Sequence, residues 1–375
     1  MNATIEANLS MNEIINEAIK IIEDFKDKGY LILGIPQHNL IPDELIYAAG
    51  FFPLHLTLVG KDQQEIGDEF LSPTTCPYSR ATIGFLIEKH DLYSKIDFLL
   101  TGPFCNGVQN IGNYSEYYEI KTIPFIVPYS KTQQSFEFYI NELNRLKLKL
   151  EEISSNKINE SYLKDIINKY NKIRSLFREI NKYRQINPSK ITGTELYYLI
   201  HQFFICGPDF VIEKLQDFRN NINYREEILT NKRVFLTGSG ICLGDNFYEF
   251  IEKECGGLVV GEDMWSGYDF YRTDVEISDN LIINLAKKYF LDCINGRMVP
   301  DPRIKYIFKF YKESNANGII YHILKYCDSY SGLKNEFKMS ILNKNIPILE
   351  IERDYAELNK GQLKTRIEAF LEMIS

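Results

Sequence analysis

Seven cysteines are spread over 375 residues. The number is odd and the density is too low for a disulfide scaffold, which leaves buried thiols or metal ligands. Three of the seven share a setting. Cys76 precedes Pro77, a residue suited to the first turn of a helix. Cys105 follows a short apolar strand, Phe98–Thr101, and Cys327 follows another, Gly318–Ile323. In open α/β sheets the ligand crevice lies beyond the carboxyl ends of the strands, so thiols from distant parts of the chain can converge there. Three thiolates suit an iron–sulfur cluster with one open iron. Zinc usually takes paired Cys-x-x-Cys spacing, absent here. Three ordinary buried cysteines would look the same by position, and position alone leaves both readings open. Cys206, in the apolar run after Phe203-Phe204-Ile205, and Cys255, at the end of an amphipathic helix, read as core fillers. Cys242 in a turn and Cys293 in a loop stay candidates for a fourth ligand.

Other chemistry-bearing residues are less pointed. Gly238-Ser239-Gly240 follows a strand and precedes a helix, a turn that can cradle a phosphate or simply reverse the chain. It lacks the Lys-Ser/Thr of a P-loop and the third glycine of a dinucleotide fingerprint. The five histidines, His38, His55, His90, His201 and His322, form no spaced pair and read as structural, although His322 lies close to Cys327. Trp265 and the tyrosines read as core or interface residues.

The elements that must position these residues alternate. In the first lobe, strands at Tyr30–Ile35, Leu54–Val59, Phe98–Thr101 and Pro124–Val127 are interleaved with helices at 42–49 and Tyr78–Glu88. In the second, strands at Arg233–Thr237, Leu258–Val260, Gly318–Ile323 and Pro347–Ile351 accompany helices at Asp245–Glu254 and Thr365–Ile374. Such alternation predicts α/β architecture: two doubly wound, mostly parallel-sheet lobes. The stretch from about 135 to 230 is rich in Lys, Asn, Glu, Ile and Leu at helical spacing and predicts a helical connecting segment. The expected organisation is a lobe 1–134 carrying Cys76 and Cys105, a connection 135–230, and a lobe 231–375 carrying Cys327. The shared rhythm suggests duplication of an α/β unit.

Composition bounds the function. The chain is 45% hydrophobic and 25% charged, with a net charge of -8. An acidic balance argues against a general nucleic-acid partner. No apolar run approaches the roughly 20 residues that cross a bilayer, and the first ten residues lack a signal-peptide pattern. A cytoplasmic protein with no membrane partner is expected.

Several longer stretches carry a resemblance. Glu350-Ile-Glu-Arg-Asp-Tyr355, with Gly361-Gln-Leu-Lys-Thr-Arg-Ile-Glu-Ala-Phe-Leu-Glu-Met-Ile374, resembles the C-terminal signature of the 2-hydroxyacyl-CoA dehydratase and benzoyl-CoA reductase family. Pro42-Asp-Glu-Leu-Ile-Tyr-Ala-Ala-Gly50 resembles its first helix, Cys76-Pro-Tyr-Ser-Arg80 its first cysteine motif, and Lys325-Tyr-Cys-Asp328 its third, with Cys105 standing where the second is expected. Arg233–Asp263 and 270–275 also fit. The resemblance runs from about Tyr30 to the C-terminus. It implies a [4Fe-4S] cluster held by Cys76, Cys105 and Cys327. It also implies a homologous second subunit, an ATP-dependent iron–sulfur activator protein that supplies a low-potential electron, and an acyl-CoA substrate. The implied reaction is elimination of water from an (R)-2-hydroxyacyl-CoA, through a ketyl radical that makes the β-proton acidic, to a 2-enoyl-CoA. Reduction of an acyl-CoA or small molecule, and a non-catalytic electron-relay role, are the alternatives. The turn Gln37-His38-Asn39 and His322 are the expected neighbours of an open iron. Gly361-Gln362 is expected as the loop before the last helix, with Gln362 or Arg366 turned to the crevice. The chain departs from the family in having Asn106 where Asp is common. It also has Asp91 and Trp265 where one branch carries extra cysteines, which favours a single cubane.

Overall fold

The computed structural model describes residues 10–36, 38–294, 303–342, 344–355 and 360–375. The sheet of the first lobe contains β1 (Leu31–Pro36), β2 (Phe51–Leu56), β3 (Phe98–Thr101) and β4 (Lys121–Pro124), in the spatial order β2-β1-β3-β4. That of the second contains β5 (Arg233–Gly238), β6 (Leu258–Glu262), β7 (Gly318–Leu324) and β8 (Ile348–Arg353), in the order β6-β5-β7-β8. Every strand pair is parallel. The orders are the same permutation, so each lobe reverses direction between its first and third strands, where open sheets leave a crevice. β1, β2, β5, β6 and β7 are buried almost throughout, the run of apolar residues expected of strands covered on both faces.

Two strands, β2 and β4, sit three residues earlier than their composition suggests. β2 pairs residue for residue with β1 from Leu31↔Phe51 onward. The expected end of the strand, Thr57–Val59, instead reaches the other lobe: Leu58 bridges Leu243, with Val59 N–H donating to Leu243 O at 2.9 Å and Leu243 N–H to Thr57 O at 2.8 Å. β4 is an edge strand with β3 as its partner and ends at Pro124, a residue tolerated at a sheet edge. The helix expected at 245–254 begins at Phe247, after Asn246 in the left-handed region (φ 35°), and its second half widens into a π turn, Phe250–Glu254. The last helix begins at Lys360 rather than Thr365. Gly361 and Gln362 are therefore its first turn and not a loop, because Lys, Gln and Leu are all good helix formers and the Thr365 hydroxyl bonds back to Gly361 O.

Three long helices link the lobes: Gln133–Ser154, Glu160–Gln185 and Gly193–Asn221, the last broken at Gly207 (φ 77°) before Pro208. The Glu160–Gln185 helix sets one buried arginine into each lobe. Arg174 pairs with Glu44 at 2.5 Å, both side chains fully buried, with the Tyr289 hydroxyl bonded to the same carboxylate at 2.7 Å. Further along the same helix, Arg184 pairs with Glu262 of β6, both also buried. The Gly193–Asn221 helix supplies His201, whose Nε2–H donates to Ile241 O (3.0 Å) in the second lobe while Nδ1 accepts from the Thr57 hydroxyl (2.6 Å) in the first. Burial lowers the His201 pKa to about 3, so the ring is neutral and its tautomer is set by the carbonyl. No described helix is long and apolar enough to cross a membrane.

Candidate functional site

Cys76, Cys105 and Cys327 occupy one kind of backbone position. Each is the N-cap residue of a helix: Pro77–Ile87, Asn106–Asn113 and Asp328–Ser331. The first turn of a helix leaves unbonded N–H groups beside the capping residue. Val108 N–H donates to Cys105 Sγ at 3.4 Å, whereas Cys76 and Cys327 take no side-chain cap hydrogen bond, and the Tyr78 and Tyr330 N–H groups act on their sulfurs only by favouring the charged form. Local sequence explains the first cap: Pro77 has no N–H to lose and its fixed φ starts the helix. Cys105 and Cys327 follow the third strand of their lobes, beside the point where strand order reverses.

The three thiols are neighbours. The Cys76 thiol donates to Cys327, and Cys105 lies close enough for its charge to act on Cys76. The bond from Cys76 to Cys327 holds the Cys76 proton well above the ordinary thiol value, with burial and the nearby Cys105 adding to it. The same bond, helped by the Ser239 hydroxyl and the Tyr330 N–H, brings Cys327 down to about 7 against the effect of burial. None of the three forms a disulfide. Among the described residues no three His, Cys, Asp or Glu side chains close around a single ion. A single zinc draws its ligands to within about 2.3 Å of one centre, whereas a cluster takes each thiolate on a different iron. The donor set, three thiols each at the start of a helix whose N-terminus favours negative charge, fits the second kind of group in its chemistry.

The seam between the lobes runs past these thiols. Asn106, next to Cys105, donates through Nδ2 to Asp328 Oδ2, next to Cys327, at 2.6 Å. Ser239, in the turn after β5, accepts from Leu324 N–H at 3.0 Å. The glycines of that turn serve packing and not a phosphate. A Cβ on Gly238 (φ 121°) would lie 1.9 Å from His322 O, one on Gly240 would lie 2.2 Å from the Trp265 ring, and the Ser239 N–H is already bonded to His322 O.

The other candidates are placed as follows. Gln37 lies outside the described residues. The His38 ring lies between Phe104 and Trp265, with centroids 6.3 and 6.0 Å away. Asn39 is buried and ties the lobes, donating to Trp265 O at 2.7 Å. His322 is fully buried against Phe247, its Nδ1 is 3.3 Å from Ser239 O, and its Nε2 has no partner. Burial and Arg353 hold it neutral. Gln362 and Arg366 line a groove of about 390 Å³ with Phe247, Lys325 and Arg353, and none of the three cysteines lines it. Arg366 also donates to Glu350 O at 2.6 Å. Cys206 and Cys255 are buried elsewhere in the core. Cys242 is buried and bonded to Thr57, and Cys293 donates to Asp269 Oδ2 at 3.4 Å. Three hydroxyls near the thiols, Ser79, Ser239 and Tyr355, lie inside stretches that the sequence singles out, but their place beside the cysteines is not readable there. Serine and tyrosine carry no spacing signal of their own.

The family profile described as 2-hydroxyglutaryl-CoA dehydratase, D-component, matches residues 39–374. The chain is 24% identical over 363 residues to YjiM of Escherichia coli (strain K12), covering 94% of each chain. It is 24% identical over 378 residues to the (R)-phenyllactyl-CoA dehydratase beta subunit of Clostridium sporogenes, covering 95% of this chain and 99% of the relative. It is also 24% identical over 343 residues to a benzoyl-CoA reductase subunit of Thauera aromatica, covering 86% of this chain and 85% of the relative.

Proposed function

This chain belongs to the 2-hydroxyglutaryl-CoA dehydratase D-component family, and on that premise we propose that it is one subunit of an oxygen-sensitive (R)-2-hydroxyacyl-CoA dehydratase. Relatives named as subunits belong to multi-subunit enzymes. The partners proposed are a homologous second subunit and an ATP-dependent iron–sulfur activator. The observation that carries the reading is the meeting of three thiols, each at a helix N-terminus, at the seam of two parallel sheets.

Cys76, Cys105 and Cys327 would hold a [4Fe-4S] cluster, which when bound supplies one electron at low potential and an iron without a thiolate. The chain's own contribution is electrostatic and steric. Val108 N–H donates to the Cys105 sulfur, and the N–H groups of Tyr78 and Tyr330 favour the charged form of Cys76 and Cys327. Asn106 and Asp328 close the seam beside them, and the Ser239 hydroxyl favours the Cys327 thiolate. Anaerobic purification with iron and sulfide analysis tests the cofactor. Turnover of a 2-hydroxyacyl-CoA with the second subunit and a reduced activator tests the reaction, and a chain that never binds iron and sulfide would sink the reading. The match to a subunit of a benzoyl-CoA reductase favours a second reading, reduction of an acyl-CoA on the same site. Product analysis separates the two: an enoyl-CoA formed without net reduction, or a reduced ring.

A further inference from the structure

Ser79 lies one turn into the Pro77–Ile87 helix, its N–H bonded to Cys76 O at 3.0 Å. Its side chain is fully buried, and its hydroxyl has no hydrogen-bond partner. A buried hydroxyl left unpaired is destabilising, so its presence asks for an explanation. Alanine would fill nearly the same space in a helix at no such cost. The surroundings indicate where the hydroxyl is aimed. A Cβ on Gly107 would lie 2.6 Å from Ser79 Oγ and 3.2 Å from Cys76 Cβ. Gly107 is the second residue of the helix capped by Cys105. The hydroxyl is therefore set between the N-termini that carry Cys76 and Cys105, where Gly107 has no side chain.

We infer that Ser79 is a positioning residue whose hydroxyl donates a hydrogen bond to a sulfur of the cluster held by Cys76, Cys105 and Cys327, and so raises the cluster's reduction potential. The inference rests on the cofactor proposed above. Its physical basis is general: a donor to cluster sulfur stabilises the more negative, reduced state, and hydrogen bonds to the sulfurs are among the determinants of potential. It also resolves the unpaired group, since in the metal-free chain this hydroxyl is a cost and in the loaded chain a bond. Thr82, one turn further along the same helix, is equally buried and its hydroxyl equally unpaired, and lies farther from the caps. It is the internal control.

The test is a redox titration, followed by the electron paramagnetic resonance of the reduced cluster, on anaerobically prepared wild-type, Ser79→Ala and Thr82→Ala proteins. Ser79→Ala is expected to keep its iron and sulfide content and to shift the midpoint to a more negative value, while Thr82→Ala keeps the wild-type midpoint. The metal-free Ser79→Ala chain is expected to be at least as stable to urea as wild type. If Ser79→Ala fails to load, Ser79→Thr decides, because it keeps the hydroxyl: a wild-type midpoint supports the bond, and failure to load overturns it. A midpoint that Ser79→Ala leaves unmoved, or one that Thr82→Ala moves equally, overturns the inference alone. A wild-type chain without iron and sulfide overturns the underlying reading as well.

Discussion

The two lobes are built on one plan and furnished differently. Both sheets run second-first-third-fourth, and in both a cysteine caps the helix after the third strand, Cys105 in one and Cys327 in the other. The first lobe adds another thiol, Cys76, in the connection between its second and third strands. Just after its second strand the other lobe has Trp265, whose ring is pressed on Gly240 and whose carbonyl is held by Asn39. One lobe thus presents two thiols brought close together where Gly107 has no side chain, and the other presents one thiol on a tightly packed floor. A shared strand order therefore supplies equivalent positions, while the side chains decide which of them carry a thiol.

The largest expected effect tests the unequal contribution of the lobes. Cys76→Ser, Cys105→Ser and Cys327→Ser should each abolish a stable cluster, measured as iron and sulfide per chain after anaerobic purification, whereas Cys206→Ser and Cys255→Ser should leave it. A cluster retained without Cys327 would make it the property of the first lobe alone.

Next come the arginines that the Glu160–Gln185 helix plugs into both lobes. Arg174→Ala leaves Glu44 buried without its cation, and Arg184→Ala does the same to Glu262. Removing one partner of a buried pair costs about 3–5 kcal/mol, read by urea denaturation. Limited proteolysis of each variant should expose the lobe that lost its arginine; equal exposure of both lobes would show that they unfold as one unit.

His201 sharpens the comparison through pH. The unfolded chain takes up a proton near 6.5 and the folded one only near 3, so the folded form binds fewer protons between those values. Stability should be level above 6.5 and fall as pH drops from 6.5 toward 3, by about 1.4 kcal/mol per pH unit at most. His201→Gln should lose that slope in denaturation midpoints measured at pH 7.5 and 5. An unchanged slope would assign the acid sensitivity to other groups.

A smaller effect is expected at the exposed clasp beside the thiols. Asn106→Asp sets a second carboxylate against Asp328 and should cost about 1 kcal/mol at pH 7, the scale of exposed charge pairs, with recovery in high salt. The smallest effect is none: Cys242→Ser and Cys293→Ser should leave the cluster spectrum intact, because one thiol is engaged with Thr57 and the other with Asp269. Loss of the spectrum in either would give the site a fourth protein ligand.

Much of this architecture is legible in the chain's local patterns. Strand–helix alternation and apolar runs identify parallel sheets because strands covered on both faces cannot hide polar side chains. Pro77 after Cys76, and the strands before Cys105 and Cys327, locate helix starts because proline and strand ends are local signals. Strand edges are less legible. Leu54–Val59 is one apolar run, but only pairing separates the part that joins β1 from the part that crosses to Leu243. The start of the last helix reads too late because Gly361 resembles a breaker, yet one exposed glycine costs a helix only about 1 kcal/mol.

Local composition and periodicity were enough to read the class of fold and to place Cys105 and Cys327 after strands and Cys76 before a helix, whereas the grouping of these three thiols rested on the resemblance to a family. What only the tertiary structure decided is which distant groups meet: Cys76 with Cys327 across the lobes, Asn106 with Asp328, Arg174 and Arg184 with acids in different sheets, and an unpaired Ser79 hydroxyl beside Gly107. The physical reason is that helix and strand signals arise from neighbours in the chain, whereas ion pairs, hydrogen bonds between side chains and the close approach that a missing Cβ allows arise from contacts between segments far apart in the chain, which no local pattern encodes.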